Sequence, residues 1–344
     1  MMPDNKKVLI IGGGGTLGEY TTLELLTQGC RVDVIALENL CSFSSDLRYI
    51  RGRADDEMLS ELLGANQYQG VIDFLHYPSH EAYEKRMRLL ANNTERYIFL
   101  SSYRVYADSS SIITENSPQI SEVYSDSDLL KYDTYGMSKC RCEKILSGSE
   151  YENWTIVRPL ISFSRHRFDL VTLGGLHIFP AYLTGRPLLL PVEAKNKTAG
   201  LGWAGNVGKL IARLLFAKGA ERECFTVGND ENLTWSAIAD IYSDVMDLKY
   251  EWVDSETYLR VCTSNKPADR IILYYDRLFD RRIDNSKVMG ITGTQKSEML
   301  GFRDALIREL QALSAHPEDA DAFIKTPTAE RIGRQIDEYW STKR

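Results

Sequence analysis

A glycine-rich turn near the start of the chain constrains its possible folds more than any other feature of the sequence. The apolar run at residues 8–11 leads directly into Gly12-Gly13-Gly14-Gly15-Thr16-Leu17-Gly18, and a helical stretch follows to about residue 28. Glycine permits a tight strand-to-helix turn and a close backbone approach, while the helix presents free N–H groups. Such a turn is typical of βα units that bind the pyrophosphate of a dinucleotide. The residues expected to bind it are Gly12, Gly15, Thr16, Leu17 and Gly18.

Short apolar runs and helical stretches alternate through the rest of the first half. The expected strands lie at 32–37, 49–50, 71–75, 97–100 and 154–157, and the expected helices at 55–63, 81–91 and 134–146. Strands that alternate with helices predict βαβ units and a parallel sheet. Continuous Val, Ile and Leu runs are typical of strands buried on both faces. The sequence therefore predicts an α/β fold, a Rossmann-type doubly wound parallel sheet with a smaller C-terminal lobe.

The length of 344 residues and a change of pattern after Arg158 predict two structural units. A chain of this length suits a main domain with a lesser one attached. Residues 162–200 are rich in Gly, Pro and basic residues, which is typical of loops with short elements. We expect a dinucleotide-binding domain over 1–161, a helix at about 203–219 that returns to it, and a substrate-binding lobe from 162–202 and 220–344.

Composition and charge argue against several classes of protein. The chain has 41 Lys and Arg against 48 Asp and Glu, a net charge of −7, so it is a poor default binder of nucleic acid or anionic membranes. The sequence contains no run of about 18 apolar residues, the length needed to span a bilayer. The polar start from Met1 to Lys7 lacks the apolar region of a secretory signal. The six cysteines form no C-x-x-C pair and no ligand spacing with histidine, which predicts reduced thiols, a cytoplasmic location and no metal site.

An acidic residue follows the second expected strand. Glu38 stands directly after residues 32–37, about 20 residues beyond the glycine turn. A carboxylate at this place accepts hydrogen bonds from both hydroxyls of the adenosine ribose and repels a 2′-phosphate. Glu38 therefore predicts NAD rather than NADP as the cofactor. The alternative is a solvated loop glutamate that binds no ligand.

A tyrosine, a lysine and a serine form a candidate catalytic set. Tyr135 and Lys139 are four residues apart, so on a helix they share one face. Because an ammonium stabilises a phenolate, we expect the pKa of Tyr135 to fall towards neutral pH and Tyr135 to act as an acid/base. Ser102 follows the expected strand 97–100, where open α/β sheets place their sites, and can bind the same substrate oxygen. Taken alone, the spacing is common in structural helices, and a serine often ends a strand.

These motifs, in this order, resemble the short-chain dehydrogenase/reductase superfamily, in its extended branch of NAD-dependent epimerases and dehydratases. The matching segments are G-x-x-G-x-x-G at 12–18, a ribose loop at 33–40, S-S-x-x-V-Y at 101–106, Y-G-x-S-K at 135–139, R-P at 158–159, a helix start at 203–207 and D-x-S-K at 284–287. They run over most of the chain. The series is specific for the fold and much less specific for the substrate.

The resemblance implies an enzyme with NAD as its cofactor and Ser102, Tyr135 and Lys139 as its catalytic residues. It implies hydride transfer at a hydroxyl carbon of a sugar or nucleotide sugar, by an epimerase, a keto-reductase or a dehydrogenase. The implied cofactor contacts are the glycine turn, Glu38, Arg53, Phe74, Leu75, Tyr135, Lys139 and Pro159. A homodimer through the helices at 81–91 and 134–146 is also implied.

Several positions depart from the family pattern. Arg53 stands where many members have an aspartate that contacts adenine, so we expect the adenine to be held differently. Tyr103-Arg104 replaces the Asp-Glu pair of the 4,6-dehydratases, which disfavours elimination of water. Ile161 replaces a usual asparagine, and a usual arginine before 203–207 is missing, so a diphosphate needs other cations. The candidate substrate residues are Tyr103, Arg165, Arg167 and Arg277, and the arginines could equally be ordinary surface residues.

A second class of function stays open at this point. Some relatives of this superfamily with a similar fourth strand and S-S-x-x-V-Y segment are non-catalytic, RNA-associated plastid proteins. That interpretation predicts a lost catalytic set and a basic face. Here the set is intact and the chain is acidic, which favours an enzyme that binds a small molecule, without a membrane or nucleic-acid partner.

Overall fold

The computed structural model describes residues 5–229 and 231–342. Its strands are β1 (Lys7–Ile11), β2 (Arg31–Ala36), β3 (Leu47–Arg51), β4 (Tyr68–Asp73), β5 (Thr94–Leu100), β6 (Trp154–Pro159), β7 (Ile161–Phe163), β8 (Asp169–Leu170), β9 (Leu173–Gly174), β10 (Leu188–Pro191), β11 (Leu201–Trp203), β12 (Glu223–Val227) and β13 (Tyr250–Val253). Its helices are α1 (Thr16–Thr27), α2 (Asp56–Ala65), α3 (His80–Asn92), α4 (Ile120–Val123), α5 (Ser127–Tyr132), α6 (Gly136–Ser147), α7 (Gly175–Thr184), α8 (Ala204–Leu214), α9 (Trp235–Met246), α10 (Ser255–Cys262), α11 (Pro267–Ile272), α12 (Ser286–Thr292), α13 (Phe302–Ala315), α14 (Pro317–Ile324) and α15 (Pro327–Thr342).

Seven parallel strands form the main sheet, in the order β12-β6-β5-β4-β1-β2-β3. Successive residues of β1 point into opposite layers. Val8 and Ile10 belong to the apolar core under α1 and α8, whereas Leu9 and Ile11 pack beneath α2, α3 and α6. Burial on both faces explains why the strand is a continuous apolar run. The predicted Rossmann-type doubly wound parallel sheet is confirmed.

Helix α8 lies on the main sheet and crosses α1 closely. A Cβ atom at Gly208 would lie 2.8 Å from the backbone nitrogen of Thr21 and from the Cβ of Tyr20, so only glycine allows the two backbones to approach this far. The helix spans Ala204–Leu214, inside the range of 203–219 predicted for it. Its contact with α1 sets the position of the helix that follows the glycine turn.

The C-terminal part of the chain surrounds a third apolar core. Three small two-stranded sheets, which pair β7 with β11, β8 with β9 and β10 with β13, lie here with most of the later helices. Residues 162–200 contain the helix α7 in addition to the expected loops. β12, which lies within the range 220–344 predicted for the lobe, is instead the outermost strand of the main sheet. Its buried Phe225 and Val227 complete the core under α8, which explains its pairing with β6.

The helix expected over 134–146 begins at Gly136, because Asp133 ends the preceding segment with a side-chain cap. Asp133 Oδ1 accepts the backbone N–H of Tyr135 at 3.3 Å and that of Gly136 at 3.0 Å. These are amide groups that the helix itself leaves without partners. The cap places Tyr135 at the mouth of α6 and Lys139 one turn inside it.

A buried ion pair ties α6 to the sheet. Glu143 accepts hydrogen bonds from Arg158 Nε at 2.9 Å and from Arg158 Nη2 at 2.6 Å. Ser101, directly after β5, and Gln119 donate to the same carboxylate over 2.5 and 2.8 Å. Arg158 also donates Nη1 to the Tyr106 hydroxyl at 2.9 Å. Since both charges are buried, removal of one partner leaves the other without compensation.

We expect Glu143→Ala to lower the free energy of unfolding by about 3–5 kcal/mol, because it leaves the buried Arg158 guanidinium without its carboxylate partner. Urea titration followed by circular dichroism measures the change. Glu150→Ala, which removes an exposed carboxylate 3.7 Å from Arg88, is the control and should stay within about 0.5 kcal/mol of the wild type. Equal effects of the two substitutions would show that the buried pair does not stabilise the fold.

Candidate active site

The carboxyl ends of four strands meet at one edge of the sheet and line a cavity of about 470 Å³. Gly12 follows β1 and Phe74 follows β4. Ser102 lies just beyond β5, and Pro159 ends β6. Open α/β sheets bind their ligands at this edge. The other residues that line the cavity are Gly15, Thr16, Leu17, Gly18, Leu100, Tyr103, Arg104, Tyr135, Leu160, Ile161, Ser162, Arg167 and Arg277.

The glycine turn has the backbone geometry that its sequence predicts. Gly12 has a φ of +74°, a conformation that strongly favours glycine. A Cβ atom at Gly18 would overlap the backbone of Gly13, so the helix can start close to the turn only without a side chain there. Gly15 is the N-cap of α1 and provides no side-chain hydrogen bond. The first N–H groups of α1 therefore remain available to an anion in the cavity.

Gly12 also lines a second cavity, of about 370 Å³, in which Arg53 and Leu75 lie. The two cavities adjoin at the glycine turn and continue along the sheet edge. Glu38 lies on the outer side of the turn, where its carboxylate occupies the space that a Cβ atom at Gly14 would need. The structure thus brings both predicted residues next to the turn.

Ser102 and Tyr135 face each other across the 470 Å³ cavity. The Ser102 hydroxyl lies close enough to the Tyr135 phenol to lower its pKa. Ser102 Oγ also accepts the backbone N–H of Arg104 at 3.2 Å, which fixes the serine at the start of a short helical turn. An oxygen atom of a ligand placed between the two hydroxyls would contact both.

Lys139 lies behind this wall and does not line the cavity. Its ammonium donates hydrogen bonds to the carbonyl oxygens of Leu75 at 2.9 Å and Leu100 at 2.5 Å. Burial lowers the pKa of Lys139 to about 8. Nζ lies 5.8 Å from the centre of the Tyr135 ring.

The expected fall in the pKa of Tyr135 is wrong for the chain by itself. Burial raises the pKa of Tyr135 above its ordinary value, and the hydrogen bond from Ser102 and the charge of Arg104 offset this only in part. The spacing of Tyr135 and Lys139 places them on one face, as predicted, but the Lys139 ammonium points to two backbone carbonyls.

Three of the four candidate substrate residues line the cavity. The Tyr103 hydroxyl donates to Asp276 at 2.8 Å and accepts from Arg277 Nη1 at 3.0 Å, and all three residues are buried. Arg167 pairs with Asp169 at 2.7 Å. Arg167 and Arg277 also line an adjoining cavity of about 350 Å³.

Arg165 lies elsewhere. Its guanidinium pairs with Glu19 at 2.9 Å and with Asp319 at 3.1 Å. These residues border a separate cavity together with Glu38, on the outer side of the glycine turn. Arg165 therefore joins α1 to α14 instead of facing Ser102 and Tyr135.

Arg104 is a cavity residue that the sequence analysis did not select. Its guanidinium carbon lies 5.5 Å from the centre of the Tyr135 ring, and Nη2 donates to Asp133 at 2.9 Å. Its position two residues after Ser102 could have identified it as a site residue, because the same short turn carries both side chains. Its ion pair with Asp276 at 3.5 Å joins segments far apart in sequence and was not predictable from local spacing.

No helix within residues 5–229 and 231–342 is both long and apolar enough to cross a membrane. Over the same residues, no group of three or more His, Cys, Asp or Glu side chains is arranged to hold a metal ion.

Comparison with known proteins identifies relatives by sequence. No protein-family model matches the chain. A UDP-glucose 4-epimerase of Neisseria meningitidis serogroup C is 28% identical over 178 residues, which are 44% of this chain and 51% of that protein. The chain thus spans about half the length of the curated relatives it matches.

Solved structures share the fold over nearly the whole chain. An epimerase from Methanothermobacter thermautotrophicus has a TM-score of 0.70 at 14% identity and covers 93% of this chain and 95% of its own. The UDP-glucuronic acid 4-epimerase of Bacillus cereus, in complex with UDP-glucuronic acid and NAD, has a TM-score of 0.64 at 14% identity and covers 90% and 99%. The names of these sequence relatives and the shared fold agree with the resemblance to the extended short-chain dehydrogenase/reductase superfamily that the motifs indicate.

The raised pKa of Tyr135 predicts that its phenol is protonated at neutral pH and ionises only above the ordinary range of a tyrosine in the chain without added ligand. Ultraviolet difference absorbance of the phenolate, recorded for the wild type and for Tyr135→Phe over an alkaline titration, measures this. The two curves should coincide through neutral and mildly alkaline pH. A phenolate step near neutral pH that is lost in Tyr135→Phe would contradict the prediction, and Tyr151→Phe serves as the control.

Proposed function

We propose that the chain is an NAD-dependent nucleotide-sugar epimerase that acts by reversible hydride transfer at a hydroxyl-bearing carbon. The observation that carries this proposal is the cavity of about 470 Å³ whose wall contains both the glycine turn and the Ser102–Tyr135 pair. A dinucleotide on the turn and a hydroxyl between the two side chains would share one space. The names of the sequence relatives and of the NAD-bound structural neighbour support the same reaction class.

The residues along the sheet edge fit NAD. The uncapped first turn of α1 suits a pyrophosphate, and Glu38 supplies a carboxylate for the ribose hydroxyls. Arg53 offers a planar cation that can stack on adenine. Lys139 lies behind the cavity wall and uses two of its three donors on backbone carbonyls, and we propose that the third reaches the nicotinamide ribose when NAD is bound. Further proposed contacts are Gly12, Gly15, Thr16, Leu17, Gly18, Phe74, Leu75, Tyr135 and Pro159.

The protein residues then have distinct roles in catalysis. Bound NAD supplies a reversible hydride acceptor and, when oxidised, a positive charge. Tyr135 Oη takes the proton of the substrate hydroxyl and later returns it, while the Ser102 hydroxyl holds the same oxygen in place. Because burial raises the pKa of Tyr135, a positive charge brought into the cavity favours its ionisation. Lys139 is proposed to act mainly by its charge and by its hold on the strand ends.

Arg167 and Arg277 are the proposed binding residues for the substrate diphosphate. They stand between the 470 Å³ cavity and the adjoining 350 Å³ cavity, so a ligand that extends through both would pass them. A guanidinium binds phosphate oxygens in a bidentate manner. Tyr103 supports Arg277 through its hydroxyl. Arg165 is left out of this proposal because it borders a different cavity.

An epimerase differs from a dehydrogenase or keto-reductase in its net reaction. With NAD and UDP-glucose, the proposal predicts formation of the 4-epimer, detected by proton NMR, without net accumulation of NADH. Steady NADH formation would show a dehydrogenase instead. Within the described residues nothing favours the non-catalytic, RNA-associated interpretation, and salt-sensitive RNA binding without turnover would be the result that revives it.

The arrangement of the whole protein is part of the same proposal. We propose that residues 1–161 and the helix within 203–219 form the NAD-binding domain, and that 162–202 and 220–344, apart from β12, form the substrate lobe. The helices α3 and α6 pack side by side on one face of the sheet, and we propose that they pair with a second copy in a cytoplasmic homodimer. A monomer by light scattering at micromolar concentration would contradict this assembly.

Glu38→Ala should weaken NADH binding by about 10- to 100-fold, because a charged hydrogen-bond acceptor for the ribose is lost, and should narrow the preference over NADPH. Fluorescence titration with both reduced dinucleotides measures the two affinities. Glu57→Ala, which also removes an exposed carboxylate, should leave them unchanged. Tighter binding of NADPH than NADH by the wild type would refute the role of Glu38.

Tyr135→Phe should lower turnover by about 10²- to 10⁴-fold and leave NAD binding nearly intact, because it removes only the ionisable hydroxyl. Ser102→Ala should cost less, since the tyrosine still binds the substrate oxygen. Lys139→Ala should impair both turnover and NAD binding. Steady-state kinetics and NAD titration separate these effects, with Tyr151→Phe as the control. Wild-type activity in Tyr135→Phe would show that the set is structural.

A further inference from the structure

We propose that Arg104 binds a carboxylate on the sugar ring of the substrate, so that the preferred substrates are nucleotide-activated uronic acids. The inference rests on the proposed function, since it assigns the part of the nucleotide sugar that lies beside Tyr135. It makes Arg104 a specificity-determining residue in contact with substrate.

The position of Arg104 puts its cation at the reacting end of the cavity. Arg104 lies in the same short turn as Ser102, whose Oγ accepts its backbone N–H at 3.2 Å. The guanidinium carbon lies 5.5 Å from the centre of the Tyr135 ring, and the side chain lines the cavity. A sugar whose hydroxyl contacts Ser102 and Tyr135 therefore presents its neighbouring ring substituents to Arg104.

The charges around Arg104 do not balance. Arg104 pairs with Asp133 and Asp276, Arg277 and Arg281 pair with Asp276, and Arg167 pairs with Asp169 beside Arg277. Arg277, Arg104 and Arg281 hold the pKa of Asp276 below its ordinary value against the effect of burial, so this carboxylate is ionised. Four positive charges then face three negative ones. An excess buried cation is costly unless an anion neutralises it, and a cavity that carries such an excess suits an anionic ligand.

Arg104 also has a free donor with which to bind an anion. Its Nη2 donates to Asp133 at 2.9 Å, and its Nε lies 3.5 Å from Asp276. Nη1 has no hydrogen-bond partner among the residues that the structure describes. The side chain is held by two carboxylates at one edge, and a third carboxylate from the ligand can bind the remaining donor.

The diphosphate is the other anionic group of a nucleotide sugar, and its proposed binding site is at Arg167 and Arg277 instead of at Arg104. Arg167 and Arg277 line both the catalytic cavity and the adjoining 350 Å³ cavity, whereas Arg104 lines only the first. The boundary between the cavities thus suits the diphosphate, and the position of Arg104 beside Tyr135 suits a substituent on the ring.

Calorimetric titration of the 344-residue chain in the presence of NAD tests the inference, with UDP, UDP-glucose and UDP-glucuronate as ligands. The wild type should bind UDP-glucuronate about 10- to 100-fold more tightly than UDP-glucose, the range for one hydrogen-bonded charge pair. Arg104→Gln should abolish this preference and change the affinity for UDP by less than about 3-fold. Arg104→Lys, which keeps the charge but not the planar fork, should retain part of the preference. Arg213→Gln, at a paired arginine away from the cavity, should leave the preference unchanged.

The possible outcomes separate the two proposals. Equal affinities of the wild type for UDP-glucose and UDP-glucuronate overturn the role of Arg104 and leave the proposed function intact. If Arg104→Gln loses as much affinity for UDP as for UDP-glucuronate, Arg104 lies at the diphosphate, and the inference is overturned. Absence of binding by all three ligands overturns the proposed function and the inference with it. If Arg104→Gln does not fold, the wild-type preference and Arg104→Lys decide.

Discussion

The ion pair between Glu143 and Arg158 is the interaction on which the arrangement of the sheet edge depends. Glu143 lies two turns beyond Tyr135 on α6, and Arg158 belongs to β6, so their bidentate contact fixes the helix along the sheet. The same carboxylate binds Ser101, the residue before Ser102. One buried acid therefore sets the distance between the helix that carries the tyrosine and the strand that carries the serine. An apolar contact would hold these elements together but would not fix their register as narrowly.

A second buried acid performs the corresponding task on the C-terminal side. Glu309 of α13 accepts hydrogen bonds from the Trp203 indole at 2.6 Å, from the backbone N–H of Arg165 at 2.6 Å and from the Tyr20 hydroxyl. It thereby joins the late helix α13 to α1 and to the turn after β7. Both carboxylates are fully engaged, which is the condition under which a buried charge stabilises a unique arrangement instead of costing stability.

The sequence predicted the features that depend on local chemistry. The glycine turn, the parallel strands and the shared face of Tyr135 and Lys139 follow from spacing alone, and the structure contains each of them. The features that were not predicted depend on the geometry of turns and on long-range packing. Arg165 and Arg167 are neighbours in sequence, but Ser164 and Arg167 exchange backbone hydrogen bonds of 2.8 and 2.9 Å around a tight turn. The turn sends Arg165 towards α14 and Arg167 into the cavity.

The raised pKa of Tyr135 and the cluster of charges around Arg104 were also not predicted, because both depend on burial and on partners distant in the sequence. The spacing of Tyr135 and Lys139 carried no information on how far burial would oppose ionisation, or on which acceptors the ammonium would find. Asp276 meets Arg104 only because the C-terminal part folds back over the sheet edge, and β12 joins the main sheet for the same reason.

The contacts of Lys139 distinguish the two walls of the cavity. Its ammonium joins the ends of β4 and β5 to α6 through the carbonyls of Leu75 and Leu100. Arg167 and Arg277, on the facing wall, come from a turn and from a short irregular helix of the C-terminal part, and Arg277 reaches the sheet edge through the Tyr103 hydroxyl. Substitutions around Lys139 therefore act on the elements that carry Ser102 and Tyr135, whereas substitutions around Arg167 and Arg277 act first on the wall that faces them.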